Sequence, residues 1–346
     1  VASATDRKKK AALGQFMTPS AVAKFMAGLM DVNINQHVSL LDAGAGLGVL
    51  TCAFLERFED IRRVSADLIE LDDEIIPHLD EVMSSYRRKH ANISIRHEDY
   101  IEVGAHMAMA RKRLYTHVIL NPPYKKIAAT SRYRQELRRA GLEAVNLYAG
   151  FVGLAIESLV ADGQMVVIMP RSFANGPYYL PFRRQLLERC SIRRMHLFDA
   201  RDIAFKDDAV LQETIIIHMV RDAQQGAVVV SRSTDASFSD MDAFEFPFEE
   251  IVRPNDPDLF IHMPSNGQGR TLEQSLRHPS SLDQLGLKVS TGPVVDFRLR
   301  EHLRPLPEDR ITAPLLYPTH FRDLRLEWPV TGKKPNAIVL DESTAK

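Results

Sequence analysis

Leu40-Leu41-Asp42-Ala43-Gly44-Ala45-Gly46-Leu47-Gly48-Val49-Leu50-Thr51 decides the fold. An apolar strand runs into an acid, then a glycine-rich turn, then the start of a helix. Glycines allow a positive φ and let the main chain pass close to a ligand. A turn of this kind alone is a weak sign, since it also binds dinucleotides. Here Asp42 precedes the glycines at the strand end. A carboxylate beside the loop disfavours a pyrophosphate and favours a cationic ligand that carries an amino acid.

Working outward, strand and helix patterns alternate on both sides of this stretch. Strands are expected over 38–43, 64–70, 93–97, 115–120, 164–169, 192–198 and 213–220. Helices are expected over 20–30 with a Ser20 cap, and over 48–58, 72–88, 144–160 and 178–190. The alternation implies a parallel sheet with helices on both faces. The last two strands are close enough to pair antiparallel at the sheet edge. The strand after the first helix ends in Glu70, whose carboxylate can take both ribose hydroxyls of a nucleoside. Asp72 is a rival for that role, and equally a natural cap for the next helix. Asp99 closes the following strand and can accept a hydrogen bond from an adenine amino group. An acidic loop residue is otherwise usually just solvated.

Beyond Arg221 the helical period fades and prolines multiply, so short strands and loops are expected there. The chain divides on this reading into 1–225 and 226–346, with the acidic stretch 240–258 as a linker. Arg298, Arg300, Arg304, Arg322 and Arg325 make the second part basic in places.

The 346 residues are 45% hydrophobic and 26% charged, with a net charge of −1, an ordinary globular profile. No apolar run approaches the roughly 18 residues of a membrane span. Residues 1–10 are polar and basic, without the apolar core of a signal peptide. The first residue is Val, which suggests a piece of a longer protein. Cys52 and Cys190 cannot build a metal site at their spacing and read as reduced, buried thiols. Arg7-Lys8-Lys9-Lys10, Lys125-Lys126, Arg132-Tyr133-Arg134 and Arg138-Arg139 are local basic clusters. The last three follow a distinctive turn.

That turn is Asn121-Pro122-Pro123-Tyr124, placed directly after the apolar strand 115–120. The Asn side chain offers a carbonyl acceptor, and the prolines fix φ and rigidly aim the carbonyl between them. The Tyr ring can stack on a flat heterocycle. Such a turn suits a planar amino nitrogen held for methyl transfer.

These motifs together resemble the S-adenosylmethionine-dependent DNA adenine-N6 methyltransferases of restriction-modification systems, in the gamma-type order, type II or Eco57I-like. Gly14-Gln15-Phe16-Met17-Thr18-Pro19 looks like the extra cofactor motif of that group, and the resemblance covers roughly residues 10–220. The chain departs from the family at Ala45, where many relatives have Cys; backbone shape matters most there. The resemblance implies a Rossmann-like class I methyltransferase sheet with helices on both faces. A C-terminal, mostly β and loop, recognition domain would follow it. It implies S-adenosyl-L-methionine held by Phe16, Thr18, Asp42, Gly44, Gly46, Glu70, Asp99 and Asn121. Catalysis would fall to Asn121, Pro122, Pro123 and Tyr124, with Phe205 of Ile203-Ala204-Phe205-Lys206 as a second aromatic wall. Double-stranded DNA would be the substrate, a restriction subunit or fused nuclease a possible partner, and the prokaryotic cytoplasm the setting. Methylation of RNA or of a protein glutamine is the alternative, and a non-catalytic nucleic-acid-binding module a second.

Overall fold

The computed structural model describes residues 18–32, 37–59, 63–87, 91–199, 213–264, 284–288, 294–308, 311–323, 325–332 and 334–341. Its first compact unit reaches to Leu272 and the second runs from Glu273 to Lys346.

In chain order the first unit contains α1 (Ser20–Gly28), β1 (Val38–Ala43), α2 (Val49–Arg57), β2 (Val64–Glu70), α3 (Ile76–Arg87) and β3 (Ala91–His97). Then come α4 (Tyr100–Met109), β4 (Tyr115–Leu120), α5 (Arg132–Arg139), α6 (Leu147–Ser158), β5 (Leu159–Pro170) and α7 (Leu180–Arg189). The strands β6 (Cys190–Phe198), β7 (Thr214–Arg221), β8 (Val228–Ser233) and β9 (Asp242–Phe246) follow, with the short α8 (Phe248–Ile251). The strands form one sheet of order β3-β2-β1-β4-β5-β7-β6-β8-β9. Neighbours from β3 to β5 pair in parallel. β7 is antiparallel to both β5 and β6.

Both faces of the sheet are covered, and the side chains show it. Val118, Leu120, Val167, Met169, Ile215 and Ile217 pack into one apolar cluster with α4, α6 and α7. Ile119, Val166, Ile168 and Ile216, on the alternate positions, pack into another with α1, α2 and α3. A strand buried on both sides reads as an unbroken apolar run, which is why these strands are legible in the sequence. The α6 helix is buried almost all round.

Four expectations need correction. α1 is capped by Pro19, not Ser20, and makes no side-chain cap bond. The β6–β7 antiparallel pair forms, but inside the sheet, because β8 and β9 continue it. His196 on β6 ties β8 down, its two ring nitrogens lying 2.9 and 3.1 Å from the Ser231 and Ser233 hydroxyls. The division at 225/226 therefore falls between β7 and β8 of one sheet, and the first compact unit extends past it. β5 starts at Leu159 and not at 164 as expected, and its first part is irregular, with Asp162 at φ 60°.

The second unit carries a three-stranded sheet of β10 (Leu303–Arg304), β14 (Ala337–Val339) and β11 (Thr312–Pro314). A hairpin of β12 (Phe321–Arg322) and β13 (Arg325–Leu326) stands beside it in sequence. Buried Asn336 is its polar hub. Its amide donates to the Pro305 and Val330 carbonyls at 2.7 and 2.9 Å. Its side-chain oxygen accepts from Val330 N–H at 2.8 Å and lies 2.9 Å from His320 Nε2. Among the described residues no helix is long and apolar enough to cross a membrane.

Candidate active site

Strand order reverses between β1 and β4, and all five parallel strands point their C-terminal ends to one edge. In open α/β sheets that reversal leaves a crevice where ligands bind. Asp42, Glu70 and Asn121 reach this edge from β1, β2 and the end of β4, and Asp99 reaches it just beyond β3.

The glycine turn is built as its sequence demands. Gly44, Gly46 and Gly48 have φ of 73°, 55° and 77°. A Cβ on Gly48 would come within 2.6 Å of Met83 Cε and 2.8 Å of Leu79 Cδ1, whereas one on Gly46 would meet nothing within 4 Å. Gly46 therefore faces open space. Its N–H donates to Glu70 Oε2 at 2.8 Å. The other Glu70 oxygen accepts the Leu71 and Asp72 N–H groups at 2.8 and 2.9 Å. The buried Glu70 carboxylate thus braces the loop to the tip of β2. Asp72 accepts from Glu74 N–H at 3.1 Å, in a turn ahead of α3, which begins at Ile76.

Asp42 is wholly buried. One of its oxygens accepts the Thr51 hydroxyl at 2.7 Å. The other, Oδ1, has no hydrogen-bond partner among the described residues. Burial pushes its pKa up to about 7; the bonds from Thr51 oppose this and the Glu70 charge adds to it.

The Asn-Pro-Pro-Tyr turn is held from three sides. Asn121 Nδ2 donates to Thr18 Oγ1 at 3.0 Å, and Asn121 Oδ1 accepts the Tyr124 hydroxyl at 3.0 Å. The same hydroxyl lies 3.4 Å from the Ile168 carbonyl on β5. The Tyr124 ring stands edge-on to Tyr148, which stacks on Tyr179. Burial raises the Tyr124 phenol well above its usual range. It is a hydrogen-bond donor here and not a base.

The structure brings Thr18, Asn121 and Tyr124 into direct contact, and likewise Gly46 and Glu70. Asp99 caps α4, accepting Ile101 N–H at 2.9 Å, and also accepts the Tyr133 hydroxyl at 2.7 Å. Phe16, Phe205 and the cluster 7–10 lie outside the described residues. Sequence reasoning missed Thr51, Gly48, Tyr148 and Tyr133. Thr51 left one signal, a hydroxyl on the buried side of a helix that follows an acid-glycine turn. The basic clusters after the turn are largely paired. Arg132 reaches Glu102 at 2.9 Å, Arg134 and Arg138 reach Glu143 at 3.1 and 2.7 Å, and Arg139 reaches Glu136 at 3.0 Å.

Residues 32–205 match the model of the Eco57I restriction-modification methylase family. The chain belongs to that family. It is 45% identical to the type II methyltransferase M.BsuBI of Bacillus subtilis over 98% of its own length and 70% of the relative's. It is 40% identical to the type II methyltransferase M.PstI of Providencia stuartii, over 99% of this chain and 70% of that one. This Eco57I-family methylase is thus a type II DNA methyltransferase of the restriction-modification kind, and S-adenosylmethionine is its methyl donor. Two solved structures share the methylase's fold at low identity. One is the type IIG restriction endonuclease BpuSI, with TM-score 0.57 and 16% identity over 89% of this chain and 42% of that one. The other is a type I restriction-modification methyltransferase subunit from Streptococcus thermophilus, with TM-score 0.51 and 16% identity over 77% and 54%. The site fits a cationic donor. The carboxylates of Asp42, Glu70, Asp72 and Asp99 gather at one edge of the methylase sheet, and the orphaned Asp42 oxygen is a buried acceptor.

Proposed function

We propose that this chain methylates the N6 amino group of adenine in double-stranded DNA, at a defined sequence. The observation that carries the reading is the Asn121 amide, locked by Thr18 so that its carbonyl oxygen faces Tyr124 beside the glycine loop. That oxygen has two lone pairs. It accepts the Tyr124 hydroxyl, and an amide oxygen of this kind also suits an amine N–H. Asn121 and the Pro122 carbonyl would accept the two hydrogens of the amino group and raise electron density on the nitrogen. Tyr124 would stack on the base. The target lies inside the duplex, so the base must be flipped out.

S-adenosylmethionine supplies, when bound, a methyl group on a positively charged sulfur. Asp42, Gly44, Gly46, Glu70 and Asp99 would hold it, with Phe16 and Thr18 from the N-terminal side. No strong base is needed, because the nitrogen attacks before losing its proton. The rate gain comes from positioning and a preorganised acceptor pair. Phe205 would form the second aromatic wall. The segment after the sheet, with exposed Arg298, Arg300, Arg322 and Arg325, would contact base edges or phosphates. A restriction subunit or fused nuclease is the expected partner. A prokaryotic cytosol suits the free thiols of Cys52 and Cys190.

The test is incubation of methyl-labelled cofactor with duplex DNA, RNA and protein in parallel, followed by nucleoside and amino-acid analysis. Label in N6-methyldeoxyadenosine is the expected result. Label only on cytosine, on RNA or on a protein glutamine would overturn the reading, as would no transfer at all.

A further inference from the structure

Asp99 does more than cap a helix. A single oxygen suffices for the cap, and Oδ1 provides it by accepting Ile101 N–H at 2.9 Å. Oδ2 instead accepts the Tyr133 hydroxyl at 2.7 Å, from a residue 34 positions further on. Tyr133 lies in the first turn of α5, beyond the Asn-Pro-Pro-Tyr loop. Its neighbour Arg132 reaches Glu102, in the first turn of α4, at 2.9 Å. Two adjacent residues therefore fasten α5 onto the N-terminal turn of α4. The Tyr133 ring packs against the main apolar cluster. Ser131 caps α5 by accepting Arg134 N–H at 3.3 Å, and Arg134 and Arg138 anchor the helix to Glu143. The hydroxyl is thus carried by an element with little freedom to move it. Burial, and next the bond to Asp99, push the Tyr133 pKa up to about 12, so it remains a donor at any working pH.

A carboxylate held by one donor on each oxygen cannot rotate. Each oxygen still offers a second lone-pair site. We infer that Tyr133 is a positioning residue of the cofactor's purine subsite, holding Asp99 so that it accepts from an exocyclic amino group and selects a 6-amino over a 6-keto purine. This rests on Asp99 as the acceptor for the cofactor's adenine. A 6-keto group would set its oxygen against a carboxylate oxygen with no hydrogen between them, and such mismatches discriminate strongly. Without the Tyr133 hydroxyl the carboxylate can turn away, and the bond that favours the amino group weakens.

Calorimetry with S-adenosylhomocysteine and its 6-keto counterpart, S-inosylhomocysteine, tests this on the full chain. The wild type should prefer the amino ligand. In Tyr133→Phe the preference should shrink on the order of 10-fold, about one pK-equivalent of binding. Affinity for the keto ligand and the thermal midpoint should hold steady. Equal weakening toward both ligands would mean a merely structural hydroxyl, and an unchanged preference would mean no role; either sinks the inference. Asp99→Asn keeps the helix cap, since Asn caps as well as Asp. If it retains the full preference, Asp99 is not the purine acceptor and both readings fall. If it loses the preference while Tyr133→Phe retains it, only the Tyr133 inference falls.

Discussion

Asn121 is held by two bonds with different consequences. The Tyr124 hydroxyl shares the acceptor oxygen, whereas Thr18 decides which way the amide points. Asn121→Ala should keep cofactor affinity and lose about 10²–10³ in the single-turnover rate. Thr18→Val keeps the volume but removes the acceptor for Nδ2. Its rate should fall on the order of 10-fold, the scale of one lost hydrogen bond, while Thr18→Ser stays near normal. A loss confined to cofactor affinity would mean that Thr18 serves the cofactor alone and does not orient Asn121. Asp42 offers a pH test. Its pKa is raised from 3.8 to about 7 in the fold, chiefly by burial. Its contribution to stability is therefore complete below the unfolded value and is lost as pH rises through about 7. A cationic ligand would favour the ionised form, so cofactor binding at pH 6 should release up to about one proton. Calorimetry in buffers of different ionisation enthalpy reads that number directly. Asp42→Asn should abolish the release, and a wild type that releases none would separate Asp42 from the cofactor's charge.

At the scale of elements, the glycine turn separates ligand approach from packing. Gly46 and Gly48 both sit at positive φ, so an Ala at either carries a backbone cost of about 1 kcal/mol. Beyond that they differ. A Cβ on Gly48 drives into Met83 and Leu79 of α3, and a Cβ on Gly46 enters open space. Gly48→Ala should lower the thermal midpoint clearly, while Gly46→Ala should chiefly weaken cofactor binding. Equal effects of the two on binding and melting would contradict a ligand over Gly46. β1, β2 and β4 were readable to the residue because buried apolar residues recur along each of them up to an acid or amide at its tip, Asp42, Glu70 and Asn121. α4 and α5 were not. Gly104 and several Ala and Met residues blur the period of α4, and α5 buries only Leu137, so its sequence reads as a basic cluster. The acids at strand ends were legible as candidates for the same reason as the strands. What they hold was not. Gly46 and Tyr133 reach Glu70 and Asp99 across 24 and 34 residues, and no local pattern encodes such pairs.

For the whole molecule, the boundary between the units determines what a truncation can teach. A cut after residue 225 removes β8 and β9. It would strip the His196 ring of its Ser231 and Ser233 partners and leave a buried polar group unsatisfied, at about 1–3 kcal/mol. It would also bare the edge of β6, so a loss of binding after that cut could simply be unfolding. A cut after Leu272 leaves the nine-stranded sheet whole. The shortened chain should melt cooperatively and bind cofactor with unchanged affinity. Its DNA binding should lose sequence discrimination, because a site that holds one flipped base has little surface left to read neighbouring pairs. The removed part carries exposed Arg298, Arg300, Arg322 and Arg325. Competition between cognate and scrambled duplexes at one fixed salt concentration is the measurement, since phosphate contacts alone make affinity salt-dependent. A chain of residues 1–272 that still prefers the cognate duplex as strongly as the full chain would move sequence reading onto the catalytic unit. The exposed Lys125 and Lys126 beside the Asn-Pro-Pro-Tyr turn would then be the first residues to replace.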